Sequence, residues 1–373
     1  MTLSLTAVDG TQIYPAPSRA WLDVDLAALR RNAGALARRA GVPLIPMVKA
    51  DAYGVGAGGV LAALEATDPW GYGVATIAEG AALRGLGVGR PIVVFTPILI
   101  SGHAAAHAAD LTPSLCSAAA IREWGPSGRP YHLAIDTGMN RAGVSWRDIS
   151  SVAEVVNEFP PAGAYTHFHS AQLDSGDTAV QDERFRAALR NLGTDIPFLH
   201  TANSAATARN GASGWDAVRP GVFLYGVGCG AGAGLEPEPV VHLKARVVDL
   251  RWVEAGDTVS YDATYAATSK ERIATVAAGY GDGYPRALSN RGRALLNGVR
   301  IPVRGLVTMD MTMFDVTGVQ CEIGDTVTLM GSGDGGLITV EDIAREAQMS
   351  PYEVLTGLAP RLDRRYHGAS SAA

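Results

Sequence analysis

The stretch LIPMVKADAYGVG (44–56) is a short apolar run that leads into a lysine, a tyrosine and closely spaced glycines. Seven similar runs follow before residue 240, at 71–75, 91–95, 111–115, 131–135, 164–168, 197–201 and 222–226. Amphipathic segments such as 26–40 and 179–192 alternate with them, as parallel strands joined by crossover helices require. Eight such units predict an α/β fold with an N-terminal (β/α)8 TIM barrel over residues 1–240. A doubly wound open sheet with an extra strand has the same alternation and stays open as an alternative.

The pattern changes after the tract GVGCGAGAG (226–234), which we interpret as a linker because of its glycines and alanines. Short β-rich runs with turn residues between them dominate the remaining chain. One helix is predicted at 339–347, where Thr339 is suited to cap the N-terminus and two acidic residues follow in the first turn. We therefore predict a mainly-β C-terminal domain over residues 241–373.

Composition excludes several classes of protein. The chain has 373 residues, 47% of them hydrophobic and 18% charged, with a net charge of −6 spread along it. No basic run suits nucleic acid or an anionic membrane, and no stretch reaches the ~20 apolar residues of a membrane span. The three isolated cysteines indicate neither a disulfide framework nor a metal site. Without a signal-peptide pattern at the N-terminus, we expect a cytoplasmic protein.

Lys49 lies where the first strand should end, and in a barrel that end faces the active site. Partial burial there would lower the pKa of the amine and free it for imine formation. A lysine that extends from a strand end into solvent is the alternative.

Gly54, Gly56 and Gly59 fit the G-x-G-x-x-G pattern of dinucleotide sites. Because residues 49–53 separate the strand from the first glycine, we favour a turn into a helix instead.

Other polar residues follow later strands. Arg141, in DTGMNR (136–141), offers a rigid fork of donors for a carboxylate or phenolate oxygen, unless it forms only a surface pair with Asp136. His167 lies at the end of the sixth strand, where a lone histidine is more often a packed, satisfied residue. Ser204 begins a helix after the seventh strand, a position suited to phosphate or simply to capping. Arg219 precedes a Gly–Val turn near the eighth strand, where barrels often bind phosphate.

These motifs, in this order, resemble the alanine racemases, a fold-type III family that depends on pyridoxal 5′-phosphate (PLP). The resemblance runs from residue 21 to residue 366. It rests on VKADAYGVG, DTGMNR, THF, ANSA, VRPGVFLYG, SYDATY, GYGDGYPR and TMDM. It implies an amino-acid racemase, an isomerase that interconverts L- and D-alanine for D-alanine biosynthesis. It also implies a homodimer whose C-terminal domains complete the active sites of the partner subunits.

The resemblance implies specific roles at the reacting centre. Lys49 would hold PLP covalently and act as one base, and Tyr261 of the partner subunit would be the base on the opposite face. His167 would lie beside that tyrosine and lower its pKa. Arg219 would orient His167 and contact the pyridine nitrogen of PLP. An arginine at this nitrogen limits charge delocalisation into the ring and suppresses transamination.

The resemblance also assigns binding residues. Arg141 would contact the phenolic oxygen of PLP and the carboxylate of the substrate. Four residues would hold the phosphate: Tyr53, Ser204, Gly221 and Val222. Met309 of the partner subunit would bind the substrate carboxylate through its backbone N–H. Tyr280, with Asp310 and Arg286, would line the substrate entry.

The chain departs from the family pattern at several positions. Ala134 stands where many members have a lysine that braces the arginine equivalent to Arg141, so Asn140 or an anion must take its place. Pro360 aligns with a tyrosine that contacts the phosphate in many members. The entry lacks an arginine and an acid, replaced by Leu306 and Gln172. These departures leave open a racemase of broader specificity, acting for example on serine.

Two further readings share the scaffold. Another PLP reaction, such as decarboxylation, usually places an acid at the pyridine nitrogen, which Arg219 argues against. A non-catalytic PLP-binding protein is expected to lack the second domain and Tyr261.

Overall fold

The computed structural model describes residues 5–6, 12–13 and 18–368. Their strands are β1 (Leu5–Thr6), β2 (Gln12–Ile13), β3 (Ala20–Asp25), β4 (Tyr72–Val74), β5 (Ile92–Val94), β6 (Thr112–Leu115), β7 (His132–Asp136), β8 (Val144–Ser145), β9 (Gly163–Tyr165), β10 (Leu199–Asn203), β11 (Ala217–Arg219), β12 (Val241–Val253), β13 (Thr258–Val259), β14 (Tyr265–Ala266), β15 (Glu271–Val276), β16 (Arg293–Leu296), β17 (Val299–Pro302), β18 (Thr312–Asp315), β19 (Thr326–Gly333), β20 (Gly336–Ile338) and β21 (Asp363–His367).

The helices of the described residues are α1 (Leu26–Ala40), α2 (Lys49–Tyr53), α3 (Ala57–Glu65), α4 (Ile77–Gly85), α5 (His103–Ala108), α6 (Ala118–Trp124), α7 (Ala153–Glu158), α8 (Asp177–Leu192), α9 (Ser204–Asn210), α10 (Val340–Ala347) and α11 (Pro351–Thr356). Helix α1 has the predicted bounds because the Asp25 carboxylate caps its start and Gly41, at φ 69°, ends it. The predicted cap of α10 is confirmed, since Thr339 and Asp342 form a capping box. None of the helices in the described ranges is both long and apolar enough to cross a membrane.

The N-terminal domain is a parallel barrel, as predicted. Its sheet runs in the order β4, β5, β6, β7, β9, β10, β11. The segment 44–47 closes the ring: Leu44 bridges Val218 of β11, and Met47 bridges Gly73 of β4. The doubly wound open sheet is therefore excluded, because its two edge strands would have no common neighbour.

One sequence interpretation near the end of the barrel is wrong. The eighth strand is Ala217–Arg219, and the apolar run predicted as that strand forms a short 3-10 helix, Val222–Tyr225. A buried apolar run of this length fits either structure, and the preceding Pro–Gly pair ends the strand early. The glycine tract 226–234, interpreted as a linker, is held in place by contacts. The N–H of Gly228 donates to the Glu341 carboxylate at 2.7 Å, and Cys229 is buried.

The C-terminal domain is built on a mostly antiparallel sheet, in the order β17, β16, β19, β12, β15, β18. Strand β3, which precedes the barrel in the sequence, pairs antiparallel with β12 in this sheet. The last strand, β21, pairs parallel with β3. Both chain ends therefore contribute to the second domain, which the sequence pattern did not show. The domain boundary at residue 240 stays a prediction.

Candidate active site

Lys49 follows the segment that closes the barrel and begins α2, a single turn that is left-handed. The four residues after it have φ angles of 52°, 53°, 53° and 56°: Ala50, Asp51, Ala52 and Tyr53. A left-handed turn costs L-residues roughly 1–2 kcal/mol each, so neighbouring groups must hold it. The Glu79 carboxylate accepts the N–H of Ala50 at 2.7 Å, and Asp51 accepts the N–H of Ala57 at 2.7 Å.

The Lys49 amine differs from the other two lysines of the chain. Lys244 pairs with Asp23 at 3.0 Å and Lys270 with Glu254 at 2.7 Å. Lys49 has no carboxylate partner among residues 18–368. Burial lowers its pKa first and the nearby charge of Arg141 second, while Glu79 opposes them. A larger fraction of its amine is therefore neutral near pH 7 than for an exposed lysine.

Arg219 is buried at the base of the site, with 3% of its surface exposed. Its Nη1 donates to Nδ1 and to the carbonyl of His200, both at 2.8 Å. Its Nη2 donates to the carbonyls of Thr166 and Thr201 at 2.7 and 3.0 Å. Among the residues that the structure describes, none accepts its Nε–H, which leaves one donor for a ligand. Burial lowers its pKa to about 10, so the guanidinium keeps its charge at neutral pH.

Two histidines that sequence reasoning missed stand behind Arg219. Since Nδ1 of His200 accepts from Arg219, its Nε2 carries the proton and donates to Nδ1 of His132 at 2.9 Å. Burial lowers the pKa of His132 to about 3 and that of His200 well below its usual value. In the sequence, the signal for these two residues is a histidine inside each of two apolar runs, YHLAI and PFLHT.

His167 lies next to Arg219, with its Nδ1 3.5 Å from Nη2, a long contact. Burial, followed by the charges of Arg219, Arg141 and Lys49, lowers the pKa of His167 to about 3. The imidazole is therefore neutral at physiological pH. It can donate one hydrogen bond and accept another without adding a positive charge to the site.

Tyr53, Ser204 and Gly221 lie close together, and Val222 follows Gly221 in the chain. The Ser204 hydroxyl accepts the N–H of Gly221 at 2.8 Å. A Cβ atom on Gly221 would lie 2.3 Å from the Tyr53 hydroxyl oxygen, so only glycine allows this approach. The Tyr53 ring stacks on Tyr225 with centroids 4.9 Å apart. Two hydroxyls and a glycine backbone therefore lie at close range.

Arg141 lines a cavity of about 380 Å³ together with Lys49, Phe95, Ala134, Tyr165 and His167. Asp136 does not pair with it; that carboxylate accepts the N–H groups of Gly138 and Asn140 at 2.9 and 3.1 Å. Asn140 donates its amide to the Gly138 carbonyl, and among the described residues no hydrogen bond joins its side chain to Arg141. Within the described ranges, the guanidinium of Arg141 therefore has no carboxylate partner.

Three of the predicted site residues lie elsewhere. Tyr261, Met309 and Tyr280 are 69%, 52% and 43% exposed on the C-terminal domain, and they do not line the cavity around Lys49. Their loops contact one another: Ser260 donates to the Leu306 carbonyl at 2.7 Å, and the N–H of Tyr280 to Thr308 at 3.0 Å. One chain thus holds two separate parts of the predicted site.

The chain matches the model of the alanine racemase N-terminal domain over residues 24–228 and that of the C-terminal domain over residues 240–366. It is 38% identical over 370 residues to an alanine racemase of Geobacter sp. (strain M21), covering 93% of this chain and 98% of the relative. It is 39% identical over 362 residues to one from Deinococcus radiodurans, covering 93% and 99%.

Solved structures agree. The alanine racemase of D-cycloserine-producing Streptomyces lavendulae superposes with a TM-score of 0.89 at 30% identity, covering 95% of this chain and 98% of that one. The Bartonella henselae enzyme, which carries covalently bound pyridoxal phosphate, gives a TM-score of 0.86 at 26% identity, covering 94% and 100%. With both domains matched and relatives above 30% identity over nearly their full length, this chain belongs to the alanine racemase family and is a PLP-dependent isomerase.

Proposed function

We propose that this protein interconverts L- and D-alanine by a two-base mechanism, with Lys49 and Tyr261 as the bases. The observation that carries the proposal is the Lys49 amine: it is half-buried, has a lowered pKa and lies in the same cavity as Arg141 and His167. A neutral amine at this position can accept a proton near neutral pH, which an exposed lysine does poorly.

The residues present fit PLP. Lys49 supplies an amine, Arg219 keeps one N–H donor for a pyridine nitrogen, and Arg141 faces the same cavity. The close approach of Tyr53 to Gly221, with the Ser204 hydroxyl beside it, suits the phosphate. When bound, PLP withdraws electrons from the substrate and weakens its Cα–H bond. Because Arg219 can only donate a hydrogen bond, the pyridine nitrogen would stay unprotonated beside it, which would favour proton exchange over other PLP reactions.

Racemisation needs a proton acceptor on each face of Cα. Lys49 serves one face. Tyr261 of the same chain is exposed and lies outside the Lys49 cavity, so it cannot serve the other face. A second copy that places Tyr261 against the Lys49 cavity supplies the missing base, with His167 beside it as a neutral hydrogen-bonding partner. The same approach brings the Met309 backbone N–H to the substrate carboxylate and Tyr280 to the entry. We therefore propose a homodimer with shared active sites.

The proposed setting is the cytoplasm, where the reaction supplies D-alanine. The three cysteines, Cys116, Cys229 and Cys321, are free thiols, which suits a reducing compartment.

Incubation with single L-amino acids in heavy water tests the reaction. We expect L-alanine to yield D-alanine with deuterium at Cα. Exchange with serine should be weaker but detectable, because one extra hydroxyl in a pocket raises the barrier by only ~1–3 kcal/mol. Equal rates with serine or a larger amino acid favour the broader racemase. Release of carbon dioxide or an aldehyde without the other enantiomer contradicts the proposal.

The roles of the bases are tested separately. We expect Tyr261→Phe to slow proton removal from L-alanine more than from D-alanine, since only one face loses its base. Equal loss of Cα-proton removal from the two enantiomers contradicts the assignment. Mixing inactive Lys49→Ala and Tyr261→Phe chains should restore part of the activity, because one site of the mixed dimer then has both bases. No recovery after demonstrated subunit exchange contradicts a shared site.

A further inference from the structure

The segment that presents Lys49 and Tyr53 is strained. Besides Ala50–Tyr53, Gly54 and Gly56 have positive φ angles of 79° and 103°. Hydrogen bonds within the segment follow this path, for example from the N–H of Gly54 to Ala50 and from that of Gly56 to Asp51, both at 2.8 Å. Such a backbone persists only where its surroundings hold it, because a relaxed right-handed or extended path is lower in energy.

The C-terminal strand β21 supplies contacts that hold this path. Arg364 donates twice to the Gly54 carbonyl, from Nε at 3.1 Å and from Nη2 at 2.8 Å. The Tyr366 hydroxyl donates to the next carbonyl, that of Val55, at 3.0 Å. These carbonyls lie at the end of the left-handed turn, where backbone acceptors lack partners within the turn. Arg364 forms no ion pair within residues 18–368, so backbone carbonyls are its partners.

The glycines of the segment make room for Tyr366. A Cβ atom on Gly56 would lie 2.1 Å from the Tyr366 hydroxyl oxygen, and one on Gly59 would lie 2.0 Å from its Cζ. Gly59 has no positive φ and lies inside α3, where alanine would otherwise be preferred. The last two glycines of the G-x-G-x-x-G pattern, Gly56 and Gly59, therefore make room for an aromatic ring of the same chain.

We infer that Arg364 and Tyr366 are positioning residues, a latch from the C-terminal strand that holds the left-handed turn and so fixes Lys49 and Tyr53 in the site. This inference rests on the proposed roles of Lys49 and Tyr53. The latch is anchored because β21 pairs with β3 along its whole length, from Asp363–Trp21 to His367–Asp25.

The strand offers a matched control. Arg365 lies between the two latch residues, pairs with Asp363 at 2.9 Å and stacks on the Trp21 ring at 4.5 Å. It makes no contact with the segment 50–56. Arg365→Met therefore removes a guanidinium from the same strand without touching the latch.

The test compares Arg364→Met and Tyr366→Phe with Arg365→Met in the full-length protein as purified. Amide hydrogen exchange at Ala52, Gly54 and Gly56 reports opening of the turn. Each latch variant should exchange about threefold to tenfold faster there, the effect of one or two lost hydrogen bonds. PLP should also dissociate faster by a similar factor. The control variant should match wild type in both measurements.

A rescue variant separates positioning from general loss of stability. Glycine adopts a positive φ without steric cost, so Ala50→Gly combined with Arg364→Met should recover part of the exchange protection and PLP retention. Ala57→Gly, in a right-handed helix, should recover neither. Unchanged exchange or unchanged PLP release in both latch variants overturns the inference, as does equal rescue by both glycines. If the wild-type protein retains no PLP, the proposed function fails, and the exchange data alone decide whether the latch holds the turn.

Discussion

At the scale of single residues, charge dominates the site. Lys49 and Arg141 line one cavity, and Arg219 contacts Thr166 and His167 in its lining. Neither Lys49 nor Arg141 has a carboxylate partner within residues 18–368. Each cation makes it less favourable for the others to keep a proton, and Lys49 is the one that can lose it. An anionic cofactor and an anionic substrate would balance this charge.

Arg141→Met should raise the pKa of Lys49, because the variant removes a nearby positive charge and the lowering it causes. We expect the Lys49 pKa to shift upward, toward that of an exposed lysine. After removal of PLP, competitive acylation of amines across a pH series measures the shift by mass spectrometry, with Lys244 and Lys270 as internal references. Arg147→Met serves as the control, since Arg147 stacks on Trp146 outside the cavity. No shift, or a downward one, contradicts the electrostatic account.

At the scale of elements, the connection between the first barrel strand and α3 is held by groups distant in sequence. Gly54 approaches α11 so closely that a Cβ atom there would lie 2.3 Å from the Leu355 carbonyl oxygen. Gly56 and Gly59 face Tyr366 from β21. The glycines reflect packing against the C-terminal part of the chain, so a dinucleotide is not needed to explain them.

Gly59→Ala should destabilise the protein, while Gly58→Ala should be neutral or stabilising. Both residues lie in α3, where alanine is favoured over glycine by up to about 1 kcal/mol. A Cβ on Gly58 meets only Leu86 at ordinary contact distance, whereas one on Gly59 collides with Tyr366. We expect Gly59→Ala to cost about 1–3 kcal/mol, as overpacking does. Urea unfolding measures both; equal effects of the two variants would falsify this account of the glycines.

At the scale of the whole molecule, the barrel encloses imidazoles that are neutral when folded. His132 and His167 titrate at about 3 and His200 well below its usual pKa, chiefly because of burial. In the unfolded chain each would titrate near 6.5. Between the folded and the unfolded pKa values, the unfolded state binds more protons than the folded state. The free energy of unfolding therefore decreases as the pH falls through this range.

The free energy of unfolding should therefore decrease from pH 7.5 to pH 5, by about 2 kcal/mol for each buried histidine. His132→Asn keeps an acceptor for the Nε2–H of His200 and should remove about one histidine's share of this loss. His169→Asn, at an exposed position, should leave the loss unchanged. Denaturant unfolding at fixed protein concentration measures all three proteins. Identical pH dependence of wild type and His132→Asn contradicts the prediction.

Local signals account for the elements that the sequence predicted well. Helix α1 has Asp25 before it and Gly41 after it, and α10 has Thr339 and Asp342, so short-range hydrogen bonds define these ends. The polar residues at strand ends, Lys49 among them, were found because parallel barrel strands place their carboxyl ends at one mouth. The run VFLYG failed as a strand because apolarity alone does not distinguish a strand from a buried helical turn.

By itself the sequence determined the two-domain plan, the barrel alternation and the chemical groups near Lys49, since periodicity, caps and strand ends are encoded by neighbouring residues. Only the tertiary structure decided what the remaining groups contact. The pairing of β3 with β12, the histidines behind Arg219 and the approach of Tyr366 to Gly56 and Gly59 join residues separated by tens to hundreds of positions. Such contacts depend on how the elements pack against one another, and no local pattern of residue types encodes that packing.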